Sequence, residues 1–150
     1  MIAAHDAKQF LEELDAELRG SADPTATAIH MIARTFAHFK WVGVYWLRGE
    51  MLELGSYAGP PTEHTRIAVG QGVCGTAIAE GRNQIVPDVR AVKNYLACST
   101  TTRSEIVVLM HRGDEIIGQI DADGDETGAF DTSDEALLTQ VAERLGILAS

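Results

Sequence analysis

The stretch "WVGVYWLRGEMLELGSY", residues 41–57, marks the point at which the chain changes from helical to strand periodicity. Aromatic and aliphatic residues flank a short turn at residues 48–50, which is typical of a β-hairpin. A second stretch of this kind, "EIVVLMHRGDEIIGQID" at residues 105–121, turns at residues 112–114. The two hairpins predict the body of an antiparallel sheet.

Helical patterns precede, separate and follow the two hairpins. Apolar residues at helical spacing predict a first helix that ends near Gly20, and Asp23 begins a second helix that runs to about Phe39. Small residues that stop at Gly81 predict a short helix between the hairpins. The segment "TSDE" at residues 132–135 predicts a capping box ahead of a last helix.

Two short strands complete the expected sheet, one around Ile67 and one in "NQIVP" at residues 83–87. The order of elements predicts an α+β fold, with about six antiparallel strands and the N- and C-terminal helices packed on one face. Loops on the other face then lie where a binding site can form. We expect a single domain over residues 1–150, because this length suits one hydrophobic core.

Composition narrows the class of function. Twelve Lys and Arg against 22 Asp and Glu give a net charge of −10, which disfavours nucleic acid and membrane surfaces as partners. No apolar run approaches the roughly 20 residues of a membrane-spanning helix. The N-terminal stretch has the pattern of an amphipathic helix rather than of a secretory signal. We therefore expect a cytoplasmic protein.

The two cysteines are candidates for chemistry. Their long separation fits neither a zinc knuckle nor a dithiol motif, so we expect no metal centre. Cys74 falls near the start of the short helix, where the helix dipole favours a thiolate, although a small packing residue is an equally good interpretation. Cys98 lies in a loop near Arg103, an environment typical of a nucleophilic or redox-active thiol.

Three acidic residues form a second group of candidates. Glu105 begins one strand of the second hairpin, and Asp121 and Asp123 end the other on one face. The hairpin turn can bring all three level with one another. They either solvate the edge of the sheet or form a carboxylate cluster that binds a cation or holds a proton.

Aromatic residues on the first strand form a third group. Trp41 and Tyr45 lie on one face, and aromatic residues in a strand are commonly part of the core. Gly43 between them removes a side chain, so we expect a gap between the rings that suits a small ligand. His64, in a loop that follows two prolines, is more simply interpreted as a solvated side chain.

Six segments in order resemble the free methionine-(R)-sulfoxide reductases, which are built on a GAF domain. These segments are "WVGVY", "GPP…TRI", "GVCGTA", "VPDV", "ACS…SEIV" and "IGQIDAD". The resemblance covers residues 41–134 and implies a six-stranded antiparallel sheet with flanking helices. It also implies an oxidoreductase that acts on free methionine (R)-sulfoxide or a similar small amino acid, without a metal or organic cofactor.

The same resemblance implies roles for the candidates. Cys98 matches the catalytic cysteine, which would attack the sulfur of the sulfoxide and become a sulfenic acid. Glu105, Asp121 and Asp123 match the acids of the pocket, and Glu105 or Asp123 would help to protonate the departing oxygen. Trp41 and Tyr45 match its aromatic wall.

Recycling of the enzyme is implied in the same way. Cys74 could condense with the sulfenic acid of Cys98 to form a disulfide, which an external thiol reductant such as thioredoxin would reduce. A role in oxidative stress and a homodimer are consistent with the resemblance. His64 stands where the family often carries a third cysteine, and Ser99 and Arg103 also differ from its pattern.

Two other functions fit the sequence. The first is a GAF module that binds a small ligand or regulates without catalysis, for which "FDTSDE" at residues 130–135 is a weak indication. The second is a thiol redox sensor that forms a bond between Cys74 and Cys98 in response to peroxide. A sensor of this kind would not need Trp41 or the three acids.

Overall fold

A computed structural model of the chain describes residues 1–96 and 101–149. In chain order its elements are α1 (Ala4–Leu18), α2 (Pro24–Thr35), β1 (Trp41–Arg48), β2 (Met51–Ala58), β3 (Arg66–Ala68), α3 (Gly72–Glu80), β4 (Gln84–Val86), a 3₁₀ turn (Val89–Ala91), β5 (Ser104–Arg112), β6 (Glu115–Gly124) and α4 (Thr132–Leu148). None of the helices in this part of the chain has the length and apolar character to cross a membrane.

The six strands form one sheet in the order β3-β2-β1-β6-β5-β4, and all neighbours are antiparallel. The two predicted hairpins, β1–β2 and β5–β6, meet where β1 pairs with β6. The predicted α+β fold with a six-stranded antiparallel sheet is therefore confirmed. Because β1 and β6 are central in the sheet, most of their side chains are buried on both faces.

Alternating side chains divide the sheet into two faces. On one face, residues such as Val42, Ile106 and Ile120 pack against α1, α2 and α4 in the main core. On the other face, Tyr45 and Val107 belong to a smaller core that includes residues of α3. The terminal helices thus cover one face as predicted. In the described part of the chain, the opposite face carries the short helix α3 and loops, which leaves it suited to a binding site.

Two helix boundaries differ from the sequence prediction. Helix α2 ends at Thr35 rather than near Phe39, because Phe36 adopts an extended conformation and its ring packs against Phe10 with centroids 5.1 Å apart. The cap of α4 is Asp131, one residue before the predicted box: its side chain accepts a hydrogen bond from Ser133 N. Hydrogen bonds from Ser133 hold the pKa of Asp131 at about 2.

Gly146 lets α4 approach β5 closely, since a Cβ atom there would lie 2.2 Å from the carbonyl oxygen of His111. We expect Gly146→Ala to lower the free energy of unfolding by about 1–3 kcal/mol, despite the better helix propensity of alanine. Urea unfolding measures the change. Gly20→Ala is the matched control, because nothing lies within 4 Å of its added Cβ. Equal stability of both variants would contradict the close contact.

Candidate active site

The three predicted acids lie together on the face opposite the terminal helices. The register of β5 and β6 pairs Glu105 with Asp123, and Val107 with Asp121. Glu105, Asp121 and Asp123 are exposed by only 5%, 1% and 3%. The interpretation that these acids solvate the edge of the sheet is therefore wrong, because all three are buried side by side. That they bind a cation or hold a proton stays a prediction. We call these three residues the acid cluster.

Burial changes the ionisation of the acid cluster. Burial raises the pKa of Asp121, and hydrogen bonds with Glu105 and Cys74 oppose part of that rise. Burial also raises the pKa of Asp123 well above its usual range, and the nearby negative charge of Asp121 raises it further. Burial thus shifts both aspartates toward the neutral form relative to an exposed carboxyl, and a nearby cation would shift them back.

Two oxygens of the acid cluster have no hydrogen-bond partner among residues 1–96 and 101–149. They are Oδ1 of Asp121 and Oδ1 of Asp123. Buried polar atoms are nearly always hydrogen-bonded in native proteins, so such atoms call for a partner that the described residues do not supply. A small cationic ligand would satisfy both oxygens.

Cys74 lies at the edge of the acid cluster, in the first turn of α3 as predicted. Its side chain is buried, and its Sγ donates a hydrogen bond to Glu105 Oε2 over 3.8 Å. Its carbonyl oxygen accepts a hydrogen bond of 3.0 Å from Nε2 of Gln119. Cys74 is thus a packing residue of the smaller core that also contacts the acid cluster, and its role as a reactive thiol stays a prediction.

Gln119 is a site residue that sequence reasoning missed. It is fully buried on β6, on the same face as Asp121 and Asp123, and its amide connects the strand to Cys74 of α3. The alternation that relates Asp121 to Asp123 extends back to Gln119 and could have indicated it. Its function as a link to α3 depends on tertiary packing, which the sequence does not reveal.

Trp41 reaches the acid cluster, because β1 places it opposite Asp123 of β6. Its indole stacks on Tyr57, with centroids 5.7 Å apart and planes at 17°, a partner that the sequence analysis missed. The expected gap above Gly43 is wrong: a Cβ there would lie 2.5 Å from Cη2 of Trp41, so the indole itself occupies that space. Nε1 of Trp41 is buried and has no partner among the described residues.

Tyr45 lies on the same face as Trp41, with ring centroids 6.3 Å apart. Its side chain is fully buried, and its hydroxyl donates a hydrogen bond of 2.7 Å to the carbonyl oxygen of His64. Tyr45 therefore anchors the loop between β2 and β3. His64 is half-buried rather than fully solvated, and its backbone serves that anchor.

Two small cavities adjoin the acid cluster. One, of about 50 Å³, is lined by residues that include Trp41, Asp123 and Thr101. The other, of about 10 Å³, is lined by residues that include Asp121 and Leu96. Leu96 and Thr101 are the described residues on either side of residues 97–100. The predicted nucleophile Cys98 falls within that segment and so lies outside the described residues, together with Ser99.

Comparisons with known proteins show the family to which this fold belongs. The GAF domain family matches residues 9–148. GAF domain-containing protein A of Dictyostelium discoideum is 36% identical over 141 residues, which are 92% of this chain and 89% of that protein. Free methionine-R-sulfoxide reductase of Escherichia coli is 38% identical over 105 residues, which are 70% of this chain and 63% of that protein.

A solved structure covers almost the whole fold. The X-ray structure of free methionine-R-sulfoxide reductase from Neisseria meningitidis, in complex with its substrate, superimposes with a TM-score of 0.89 at 31% identity. The match covers 98% of this chain and 91% of that one. The chain therefore belongs to the GAF domain family and, within it, to the family of the free methionine-R-sulfoxide reductases, as its sequence motifs indicated.

Proposed function

We propose that the protein is an oxidoreductase that reduces free methionine (R)-sulfoxide to methionine with thiols as the electron donors. The observation that carries the proposal is the acid cluster beside Cys74 in a chain of this family. Within it, Oδ1 of Asp121 and Oδ1 of Asp123 have no partner among the residues that the structure describes. A free amino acid supplies the ammonium group that a buried pair of carboxylates requires.

Each part of the substrate has a group to bind it. We propose that Asp121 and Asp123 accept hydrogen bonds from the ammonium group, whose charge favours their ionised forms. Trp41 lies opposite Asp123 and is assigned to the S-methyl group, with Tyr45 behind it in the aromatic wall. Backbone N–H groups of the surrounding loops are assigned to the carboxylate of the substrate.

The chemical step is assigned to Cys98. Its thiolate attacks the sulfur of the sulfoxide, the sulfur–oxygen bond breaks, and the oxygen passes to Cys98 as a sulfenic acid while methionine leaves. Glu105 provides the proton for the departing oxygen, because Asp123 is ionised while it binds the ammonium group. The sulfur of the substrate is reduced by two electrons and Cys98 is oxidised by two, so no metal or organic cofactor is needed in this step.

Recycling is assigned to Cys74. Its thiol condenses with the sulfenic acid of Cys98, which forms a disulfide and releases water. A thioredoxin-like dithiol then reduces the disulfide by exchange. We further propose that this activity protects the cytoplasmic pool of free methionine under oxidative stress, and that the protein acts as a homodimer.

The test is incubation of the reduced protein with the separate R and S epimers of free methionine sulfoxide and dithiothreitol. We expect methionine from the R epimer only, measured by chromatography, and no reduction of a peptide-bound sulfoxide. If the R epimer binds without being reduced, the protein is a ligand-binding GAF module. If peroxide joins the two cysteines while the R epimer neither binds nor reacts, the redox-sensor alternative is supported instead.

A further inference from the structure

Cys74, Glu105 and Asp121 bring one sulfur and two carboxylate oxygens within 4.8 Å of one another. We propose that these three side chains form a Zn²⁺ site and that bound zinc inhibits the protein. The proposed reaction uses no metal, so the site adds a form of control to that function. The expectation of no metal centre rested on the spacing of the two cysteines alone, whereas these ligands come from α3, β5 and β6.

The geometry of the three side chains suits a tetrahedral ion. With a zinc–sulfur distance of about 2.3 Å and zinc–oxygen distances of about 2.1 Å, tetrahedral coordination places sulfur and oxygen about 3.6 Å apart. Sγ of Cys74 and Oε2 of Glu105 are 3.8 Å apart. Two oxygen ligands of such an ion lie about 3.4 Å apart, and the remaining ligand atoms lie within 4.8 Å of one another, so Asp121 needs to approach by at most about 1.4 Å.

The donor atoms select among metals. A thiolate favours zinc and disfavours magnesium or calcium, which prefer oxygen ligands alone. Two carboxylates complete a set of three protein ligands and leave a fourth position for water, as in open zinc sites. On binding, the ion replaces the proton of the Cys74 thiol, which passes to solvent, and no group changes its oxidation state.

Buried polar atoms without partners among the described residues favour the binding of a cation at this position. Asp121 is 1% exposed and its Oδ1 has no partner among the described residues. Gln119 is fully buried; its Nε2 contacts Cys74, and its Oε1 has no partner within the same residues. The three proposed ligands also line one cavity of about 10 Å³, which is close to the room that a single water molecule needs.

Inhibition follows from the shared use of Asp121. Under the proposed function, Asp121 binds the ammonium group of the substrate together with Asp123. A zinc ion bound to Asp121 removes that carboxylate from substrate binding. The positive charge of the ion also repels the ammonium group of the substrate from the acid cluster. Zinc and the amino acid therefore exclude each other, and zinc also holds the thiol that we assign to recycling.

Cobalt is the probe for this site, because a thiolate bound to Co²⁺ gives a sulfur-to-cobalt charge-transfer band in the near ultraviolet. The reduced full chain, free of thiol reagents, is titrated with Co²⁺ alone. We expect the band in the wild type, its loss on addition of Zn²⁺, and its loss in Cys74→Ser. Cys98→Ser is the matched thiol control and should retain the band. A missing band in the wild type, or a band that persists in Cys74→Ser, overturns the proposal.

Asp121→Asn provides a second measurement that keeps Cys74 intact. We expect it to weaken Co²⁺ binding at least about tenfold, since even residues that only support a metal ligand have effects of that size. Glu115→Gln, at an exposed position of β6, removes an equal charge and should leave the affinity unchanged. Equal affinity of Asp121→Asn and wild type overturns the proposal even if Cys74→Ser fails to fold.

The result of the cobalt titration can be distinguished from the result of the reductase assay that tests the proposed function. Cobalt binding is measured without substrate, so a chain that does not reduce methionine sulfoxide can still show the band. Conversely, an active reductase without the band rejects only the zinc site. In an active protein, Zn²⁺ is expected to raise the KM for methionine (R)-sulfoxide, and a chelator is expected to restore it.

Discussion

Cys98→Ser is expected to abolish the reduction of methionine (R)-sulfoxide. A serine hydroxyl is not ionised near neutral pH and forms no counterpart of a sulfenic acid, so both the attack on sulfur and the acceptance of oxygen are lost. We expect kcat/KM to fall at least about a thousandfold, as is usual when a nucleophile is removed. The assay is methionine formation from the R epimer with dithiothreitol in excess.

Cys74→Ser is the control variant for Cys98→Ser, because it removes a thiol that the chemical step does not use. In a single turnover without reductant, the Cys74 variant should still form about one methionine per chain, because Cys98 can be oxidised once on its own. The Cys98 variant should form none. With thioredoxin as the reductant, the Cys74 variant should turn over more slowly than wild type. A Cys98 variant as active as wild type would remove Cys98 from the mechanism.

The sequence predicted the sheet well because local signals determine it. Turns with Gly49 and Gly113 join strands of similar length, and alternating side chains define two faces. The acid cluster follows from the same signals: alternation places Asp121 and Asp123 on one face, and the second hairpin brings Glu105 beside Asp123. Family motifs then indicated which face carries the chemistry.

Other features of the candidate site depend on tertiary contacts, which the periodicity of the sequence does not show. The absence of a side chain at Gly43 indicates space, yet only the folded structure shows that the indole of Trp41 fills it and stacks on Tyr57. The link from Gln119 to Cys74 crosses from β6 to α3 and has no signal in sequence spacing. Sequence therefore located the chemical groups but not the contacts that orient them.

Asp123→Asn is expected to lower kcat/KM for free methionine (R)-sulfoxide by about 10- to 150-fold. This range corresponds to the about 1.5–3 kcal/mol of a hydrogen bond to a charged group. Asparagine has nearly the same shape, so the change removes charge rather than volume. The loss should appear mainly in KM, because the ammonium group is equally charged before and during the reaction. Steady-state kinetics over a range of substrate concentrations measure both parameters.

A second substrate decides whether Asp123 acts through the ammonium group. N-acetylmethionine (R)-sulfoxide has the same sulfoxide and no positive charge, so the wild type should use it poorly. Asp123→Asn should leave that low activity nearly unchanged, so that the preference for the free amino acid falls by the same 10- to 150-fold. Asp114→Asn changes an exposed acid in the turn between β5 and β6. It is the control for net charge and should change the activity on neither substrate. If Asp123→Asn reduced the activity on both substrates equally, Asp123 would serve proton delivery or packing instead, and the ammonium group would have to be bound by Asp121 alone.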